Sequence, residues 1–313
     1  MKVAYVFPGQ GSQWVGMGHG LYGDFPSAKA IFEQADQTLG FPLSRLCFEG
    51  PETELHQTIN AQPAMVMVSF ACFKAIQEVS GSNRFPSPAF IAGHSLGEYT
   101  ALVAAEVLDF STTVYLTRER GRLMHEAGLS QPGGMAAIIG LDKALLAEIC
   151  NQTDTTLANI NCPGQLVISG VGDNLTRAVD LAKARGARRT IPLMVDGAFH
   201  SPLMQSAVAG MAKAIASLSF HNPAIPIIAN TTAQPLTTAE SIKTELLSQL
   251  CSGVQWQQSI EYMINEGVST FIEIGPGKVL SGLIKRINES VRTVNIGDAE
   301  TIKSIDDMLN GLD

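Results

Sequence analysis

Ala89-Phe90-Ile91-Ala92-Gly93-His94-Ser95-Leu96-Gly97-Glu98 is the stretch on which the fold turns. Four apolar residues, 89–92, suit a buried strand. Gly93-His94-Ser95-Leu96-Gly97 then reads Gly-x-Ser-x-Gly, and a helical stretch, Leu96–Leu108, follows. Strand, sharp turn and helix in that order form a nucleophile elbow, with a serine hydroxyl at the tip. The flanking glycines leave room for the turn and for an approaching substrate. The helix N-terminus offers backbone N–H groups and the positive end of a dipole, which suit an oxyanion.

Outward from this stretch, short apolar runs alternate with helical ones. Val3–Phe7, Ile225–Ala229 and Phe271–Ile274 read as further buried parallel strands, and Pro63–Glu78 and Thr112–Ala127 as helices. The pattern predicts an α/β layer fold. Gly128–Gly134 is rich in Gly, Pro, Ser and Gln and reads as a hinge. Beyond it the periodicity predicts strand Met135–Gly140, helix Asp142–Cys150, strands Thr156–Ile160 and Leu166–Ser169, helix Asp173–Gly186 and strand Arg189–Met194. That order is βαββαβ, a ferredoxin-like unit. The expected division is therefore a small inserted subdomain at 129–197, with a large α/β catalytic domain built from 1–128 and 198–313. The default site is the cleft between them.

Composition narrows the function. The chain has 313 residues, 45% of them hydrophobic, and a net charge of -8 with a pI of about 5.3. No basic stripe with interleaved aromatics appears, which argues against nucleic acid as a partner. No run of 18 apolar residues occurs, so no membrane span is expected, and the N-terminal residues lack the apolar core and cleavage site of a signal peptide. The cysteines are five in number and scattered; they read as reduced and buried in a cytoplasmic protein. The six histidines show no metal-binding spacing, so no metal is expected.

Ser95 needs a base. His200 is the candidate, because it lies in the loop Asp196-Gly197-Ala198-Phe199-His200-Ser201-Pro202, where the chain returns from the subdomain. His94 is expected to point away from Ser95, and His125 to lie on the polar face of its helix. His19, His56 and His221 have no supporting context. A hydrolase triad would want an acid between Ser95 and His200 in the sequence. Asp173, Asp180 and Asp196 fall there, none in a post-strand acid loop, so something else orients the histidine, such as a backbone carbonyl. On the helix Thr112–Ala127, at 100° per residue, Arg118, Arg122 and His125 share a polar face that reads as solvated. Arg120 points the other way, in line with Thr113, Leu116, Thr117, Leu123, Met124 and Ala127. A guanidinium in an apolar stripe must meet an anion: either an internal Asp or Glu, or the acid of a substrate held by a bidentate clamp. Pro8-Gly9-Gln10-Gly11-Ser12-Gln13 lacks the third glycine of a dinucleotide loop, since position 14 is Trp. It suits a tight turn, or a loop lending a second N–H to an oxyanion hole. Gly275-Pro276-Gly277-Lys278 does not fit Walker spacing and reads as a structural turn.

Together these pieces resemble malonyl-CoA:acyl carrier protein transacylases, from end to end of the chain. The resemblance is carried by Phe7-Pro8-Gly9-Gln10-Gly11-Ser12-Gln13, Gln62-Pro63-Ala64, Gly93-His94-Ser95-Leu96-Gly97-Glu98 and Arg120-Gly121 with Met124. Ala198-Phe199-His200-Ser201, Gln249-Leu250 before Val254-Gln255-Trp256, and Gly275-Pro276-Gly277-Lys278-Val279-Leu280 complete it. It implies an α/β-hydrolase-like large domain with the ferredoxin-like insert. It implies that Ser95 takes a malonyl group as an ester and that His200 serves as base and then acid, oriented by the main-chain carbonyl of Gln249. The backbone N–H groups of Gln10 and Leu96 would form the oxyanion hole. Arg120 would hold the malonyl carboxylate, and Gln62, Met124, Asn159 and Asn161 would line the pocket. Phe199 before His200 is the pattern associated with malonyl rather than bulkier methylmalonyl groups. Cys162 stands where serine is common, away from any of these roles.

The resemblance thus implies ping-pong transfer from malonyl-CoA to the phosphopantetheine thiol of acyl carrier protein, for fatty-acid or polyketide synthesis, with no cofactor of the enzyme's own. A free-standing, monomeric, cytoplasmic enzyme is the expectation. Since carrier proteins are typically acidic, docking would need a local basic patch: Lys183, Arg185, Arg188 and Arg189, or Lys278, Lys285 and Arg286. Two rivals remain open in the sequence, a serine hydrolase with water as acceptor and a carrier-docking module with a dead site.

Overall fold

The computed structural model describes residues 2–305; residues 1 and 306–313, which fall in the expected large-domain segments, lie outside the described residues. The first strand, β1 (Lys2–Phe7), is followed by five helices: α1 (His19–Asp24), α2 (Pro26–Leu39), α3 (Leu43–Glu49), α4 (Glu52–Leu55) and α5 (Thr58–Arg84). Then come β2 (Phe90–Gly93), α6 (Gly97–Ala104) and α7 (Phe110–Ser130). The middle of the chain runs β3 (Gly133–Ile139), α8 (Lys143–Thr153), β4 (Thr156–Cys162), β5 (Gln165–Val171), α9 (Gly172–Ala184) and β6 (Arg189–Pro192). After a single turn of 3-10 helix at Pro202–Met204 the chain continues with α10 (Gln205–Ala216), β7 (Ile227–Ile228), β8 (Pro235–Leu236) and α11 (Ala239–Cys251). It closes with α12 (Trp256–Asn265), β9 (Val268–Ile274), α13 (Val279–Ile287), β10 (Arg292–Ile296) and α14 (Ala299–Lys303).

The described strands form two sheets. One has six strands in the order β10-β9-β1-β2-β7-β8, parallel apart from β8. The alternation of β1 explains its central place. Val3, Tyr5 and Phe7 face one core with helices α5 and α7, while Ala4 and Val6 face a second core with Trp256, Ile260, Leu280 and Ile284 of α12 and α13. A strand buried on both faces needs the near-continuous apolar run that β1 has. The other sheet is antiparallel, in the order β4-β5-β3-β6. Ala136 and Ile138 of β3 face α8 and α9, whereas Met135 and Ala137 face the large core. The small sheet therefore carries its helices on one side and turns its other side towards the large core, with β4 against α12 and α13, so the two layers meet along a cleft.

Several boundaries differ from the sequence reading. Helix α7 runs on to Ser130 and β3 starts at Gly133, so the expected hinge at Gly128–Gly134 shrinks to two residues. Gly128 stays helical because it packs against the backbone of Asp196, where an added Cβ would lie 2.2 Å from the carbonyl oxygen. The expected helix to Leu108 stops at Ala104, followed by Glu106 at φ 60°. Strand β6 ends at Pro192, and Leu193 makes one more bond to Met135 O before the chain turns into the cleft. Ile225–Ala229 shortens to two strand residues, and β8 and β10 carried no recognised signal. Residues Thr58–Gly81 of α5 are long and apolar enough to cross a bilayer by length and composition; 89% of their most apolar stretch is buried inside the chain, as in a core helix. The cysteines are all free, but Cys251 is half-buried rather than buried.

The elbow rests on backbone-to-backbone packing. Phe7 pairs with Gly93 across β1 and β2. A Cβ on Gly93 would lie 1.9 Å from the carbonyl carbon of Gly97, and one on Gly97 would lie 2.1 Å from Phe7 O. No rotamer change relieves such a contact, because both partners are main chain. Gly97→Ala should therefore cost about 3 kcal/mol or more. Gly282→Ala, on the open side of α13 where no atom lies within 4 Å, should gain about 0.5–1 kcal/mol from helix propensity. Denaturant midpoints of the two variants should move in opposite directions; equal midpoints would contradict this account of the elbow.

Candidate active site

Ser95 sits at the end of β2 with φ 50°, a left-handed conformation that non-glycine residues rarely adopt. His200 does the same with φ 55°. The two backbones are bent so that their side chains meet: Ser95 Oγ lies 2.7 Å from His200 Nε2. On its other side His200 Nδ1 lies 2.8 Å from the main-chain oxygen of Gln249, at the end of α11. A carbonyl only accepts, so Nδ1 carries the proton and Nε2 presents its lone pair to the serine hydroxyl. Burial, and then the charge of Arg120, lower the His200 pKa to about 3, while the Gln249 carbonyl pulls the other way. The imidazole is therefore neutral and able to accept at neutral pH.

Arg120 lies on the buried stripe of α7, 1% exposed, with Thr113, Leu116, Thr117, Leu123, Met124 and Ala127 buried beside it. Its hydrogen-bond partners among the described residues are neutral. Nη1 donates to Gln62 Oε1 and Nη2 to Gln249 Oε1, each at 2.8 Å, and Nη2 reaches Ser95 Oγ at 3.4 Å. The guanidinium stands 5.3 Å from the Tyr99 ring centroid, and its Nε has no partner. Of the two partners left open by the sequence, an internal carboxylate is not found on this arginine among the described residues. Burial pushes its pKa down, but a guanidinium stays charged.

The elbow is pinned from below. Asn230, just after β7, accepts from the Ser95 N–H at 2.7 Å and donates to Gly93 O at 2.8 Å. Glu98 receives Asn230 N and Nδ2 at 3.0 and 2.9 Å, and also Gln249 Nε2. Neither Gln10 nor Leu96 donates its backbone N–H to an acceptor among the described residues, so both remain available beside Ser95.

A cavity of about 340 Å³ opens onto these groups. Gln10, Ser95, Arg120, Met124, Asn159, Phe199 and His200 line it, as the sequence suggested. Gln62 and Gln249 lie behind Arg120, fully buried. Asn161 is not on the wall; it accepts from His94 Nε2 at 2.8 Å. His94 makes no hydrogen bond to Ser95 among the described residues, yet its ring lines the same cavity, held by Asn161 and set edge-on against Trp256. His56 also reaches the mouth, together with Leu193, Met194 and Val195. Arg118 is not simply solvated either, since Nη1 donates to Ile59 O at 2.9 Å and its head covers the Phe41 ring. His125 lies 3.4 Å from Asp196, at the return from the small sheet.

Sequence reasoning missed Glu98, Tyr99 and Asn230. Glu98 carried a usable signal, being an acid on the otherwise apolar, fully buried first turns of α6. Asn230 carried none.

Between the unfolded imidazole value of about 6.5 and the folded value of about 3, the unfolded chain binds a proton that the folded chain does not. Stability should therefore fall as pH drops below about 6.5, by up to about 1.4 kcal/mol per pH unit. The rate at which a fluorophosphonate modifies Ser95 should stay level from pH 8 to pH 5. A rate falling tenfold per unit below pH 6.5 would mean that His200 titrates normally.

The family model described as the acyl transferase domain matches residues 4–306. The malonyl CoA-acyl carrier protein transacylase of Bacillus subtilis strain 168 is 47% identical over 307 residues, covering 96% of this chain and 95% of that protein. The crystal structure of an acyl-carrier-protein S-malonyltransferase from Bartonella henselae is 41% identical, with a TM-score of 0.95, and the match covers 99% of this chain and all of that one. A malonyl transacylase solved in complex with its type II PKS acyl-carrier protein is 38% identical, with a TM-score of 0.93, and the match covers 97% of this chain and 98% of that one.

Proposed function

We infer the reaction from the premise that this chain belongs to the acyl transferase domain family: it is an acyltransferase that moves a malonyl group from malonyl-CoA to the phosphopantetheine thiol of acyl carrier protein. The observation that carries the choice of substrate is Arg120. A buried guanidinium with neutral partners, 3.4 Å from the serine oxygen, leaves one charge unmatched at the place where an acyl group must sit. A free carboxylate on the acyl chain matches it.

The mechanism follows from the hydrogen bonds. Malonyl-CoA enters with its carboxylate on Arg120. His200 Nε2 takes the Ser95 proton while Oγ attacks the thioester carbonyl. The tetrahedral oxyanion is placed between the N–H groups of Gln10 and Leu96, each worth about 3 kcal/mol in such a role. The C–S bond then breaks, and the imidazolium returns its proton to the departing CoA thiolate. Through the same steps in reverse, the carrier thiol gives up its proton to His200 and attacks the malonyl-serine ester. Gln249 O holds the Nδ1 proton throughout, which replaces the acid of a hydrolase triad.

In this reading Gln62, Met124, Asn159 and Phe199 shape the pocket, and Asn161 acts through His94. The architecture we propose is a hydrolase-like large domain at 1–128 and 198–313 with a ferredoxin-like insert at 129–197. The small sheet order β4-β5-β3-β6 and its βαββαβ succession support it. Serine, histidine and arginine suffice for the chemistry, so the reaction calls for neither metal nor cofactor. The free cysteines and the net charge of -8 support a cytoplasmic monomer that works apart from membranes and nucleic acid, in fatty-acid or polyketide synthesis. Both basic patches stay candidate carrier docks: in one, Lys183 pairs with Asp180 at 3.1 Å, and in the other Arg286 donates to Gln165 and Pro163.

Arg120→Ala removes a charge-assisted clamp of about 3 kcal/mol and should lower malonyl loading about 100-fold. Acetyl loading, which has no carboxylate to hold, should change far less. Quenched-flow acylation with the two CoA esters checks this, and equal losses for both would overturn the clamp.

A further inference from the structure

Glu98 is an ionisable side chain buried in the heart of this site beside Arg120. It is 0% exposed, in the first turn of α6, among Gly97, Tyr99, Thr100 and Ala101, which are buried too. Burial, with Glu245 nearby, pushes its carboxyl pKa well above the usual carboxylate range, and the donors from Asn230 and Gln249 offset this only in part. Each of its hydrogen bonds is received: Oε1 takes Asn230 N and Nδ2, and Oε2 takes Gln249 Nε2. Every one of these partners is an N–H donor, so both carboxyl oxygens are committed as acceptors.

The consequence lies in the Gln249 amide. Its NH2 group has two hydrogens, and both are used, one on Glu98 and one on Ser95 O at 3.1 Å. Its Oε1 is therefore turned to Arg120 Nη2, at 2.8 Å. Were the amide reversed, it would set N–H groups against a guanidinium. Glu98 thus decides which end of the amide Arg120 meets. The amide also stands between Glu98 and Arg120, so the arginine is held without a direct bond to the carboxyl group.

We propose that Glu98 is a positioning residue for malonyl selection: through the side-chain amide of Gln249 it fixes Arg120 in the pocket and keeps its guanidinium free for the substrate carboxylate. The proposal rests on the reading of the site as a malonyl-transfer centre. Glu98 does not touch substrate. It acts through Gln249 on Arg120 and, through Asn230, on the Ser95 turn.

Glu98→Gln preserves shape and replaces one acceptor oxygen by a donor NH2 group. The new amide must set its NH2 against the donors of Asn230 or of Gln249, and turning over the Gln249 amide relieves the clash at the expense of Arg120. The KM for malonyl-CoA should rise, and the malonyl-to-acetyl ratio of kcat/KM should fall about tenfold or more, as misplacement of a binding group does. Gln249→Met keeps the main-chain carbonyl under His200 but removes the relay, and it should lose the same selectivity. In that background Glu98→Gln should lower the ratio no further, since the two groups act as one unit. Thermal melting would establish that each variant is folded, and if Glu98→Gln does not fold, Gln249→Met alone decides. Retained selectivity, equal loss of malonyl and acetyl loading, or losses that multiply in the double variant would each overturn the proposal. The wild-type enzyme in the same series separates this from the reading beneath it: a wild type that does not prefer malonyl over acetyl would defeat that reading, whatever Glu98 does.

Discussion

A positive charge with no negative charge bound to it lies beneath the nucleophile, and much of the cleft is arranged to tolerate it. Arg120 is held by the oxygens of two glutamines and by the face of Tyr99. Burying an ion without a counter-ion costs several kcal/mol, so α7 could have gained stability with an apolar residue here. The cost is met by the surrounding fold, through α5, which supplies Gln62, and α11, which supplies Gln249. The charge then acts on what stands near it. It contributes to the low pKa of His200, and it leaves one positive charge unmatched at the wall of the cavity.

The second constraint is conformational. Ser95 and His200 both hold left-handed backbones, and neither would keep that conformation in isolation. The Ser95 turn is imposed by Gly93 and Gly97 packing main chain on main chain, and by Asn230 taking the Ser95 N–H. The His200 loop is held through Ser169, whose hydroxyl donates to Phe199 O at 2.6 Å. The small sheet thereby reaches across the cleft to position the base, so the two layers share the site.

Much of this was legible in the chain. The elbow, the alternation of β1 and the βαββαβ succession are local patterns, and local patterns survive in a single sequence. The Arg120 stripe was legible for the same reason, since helical periodicity puts each side chain on a definite face. The resemblance supplied Gln249, because a main-chain carbonyl leaves no trace in residue identity. Contacts made across long stretches of chain were not legible. Asn230 lies 135 residues from Ser95, and nothing about an asparagine after a two-residue strand marks it. The place of His94 on the cavity wall was not legible either, because it depends on Asn161 and Trp256, far away in the chain. Strand β10 was missed because Arg292-Thr293-Val294-Asn295-Ile296 mixes polar and apolar residues at the sheet edge.

The central claim is that Ser95 carries a malonyl group on its way between two thiols. The most direct measurement is intact-protein mass spectrometry after brief mixing with malonyl-CoA, on the wild type and on Ser95→Ala. The account predicts a malonyl-sized adduct on the wild type alone, discharged on adding holo acyl carrier protein and stable in buffer over the same interval. An adduct on Ser95→Ala, an adduct lost to water as fast as to the carrier, or no adduct on the wild type would contradict it.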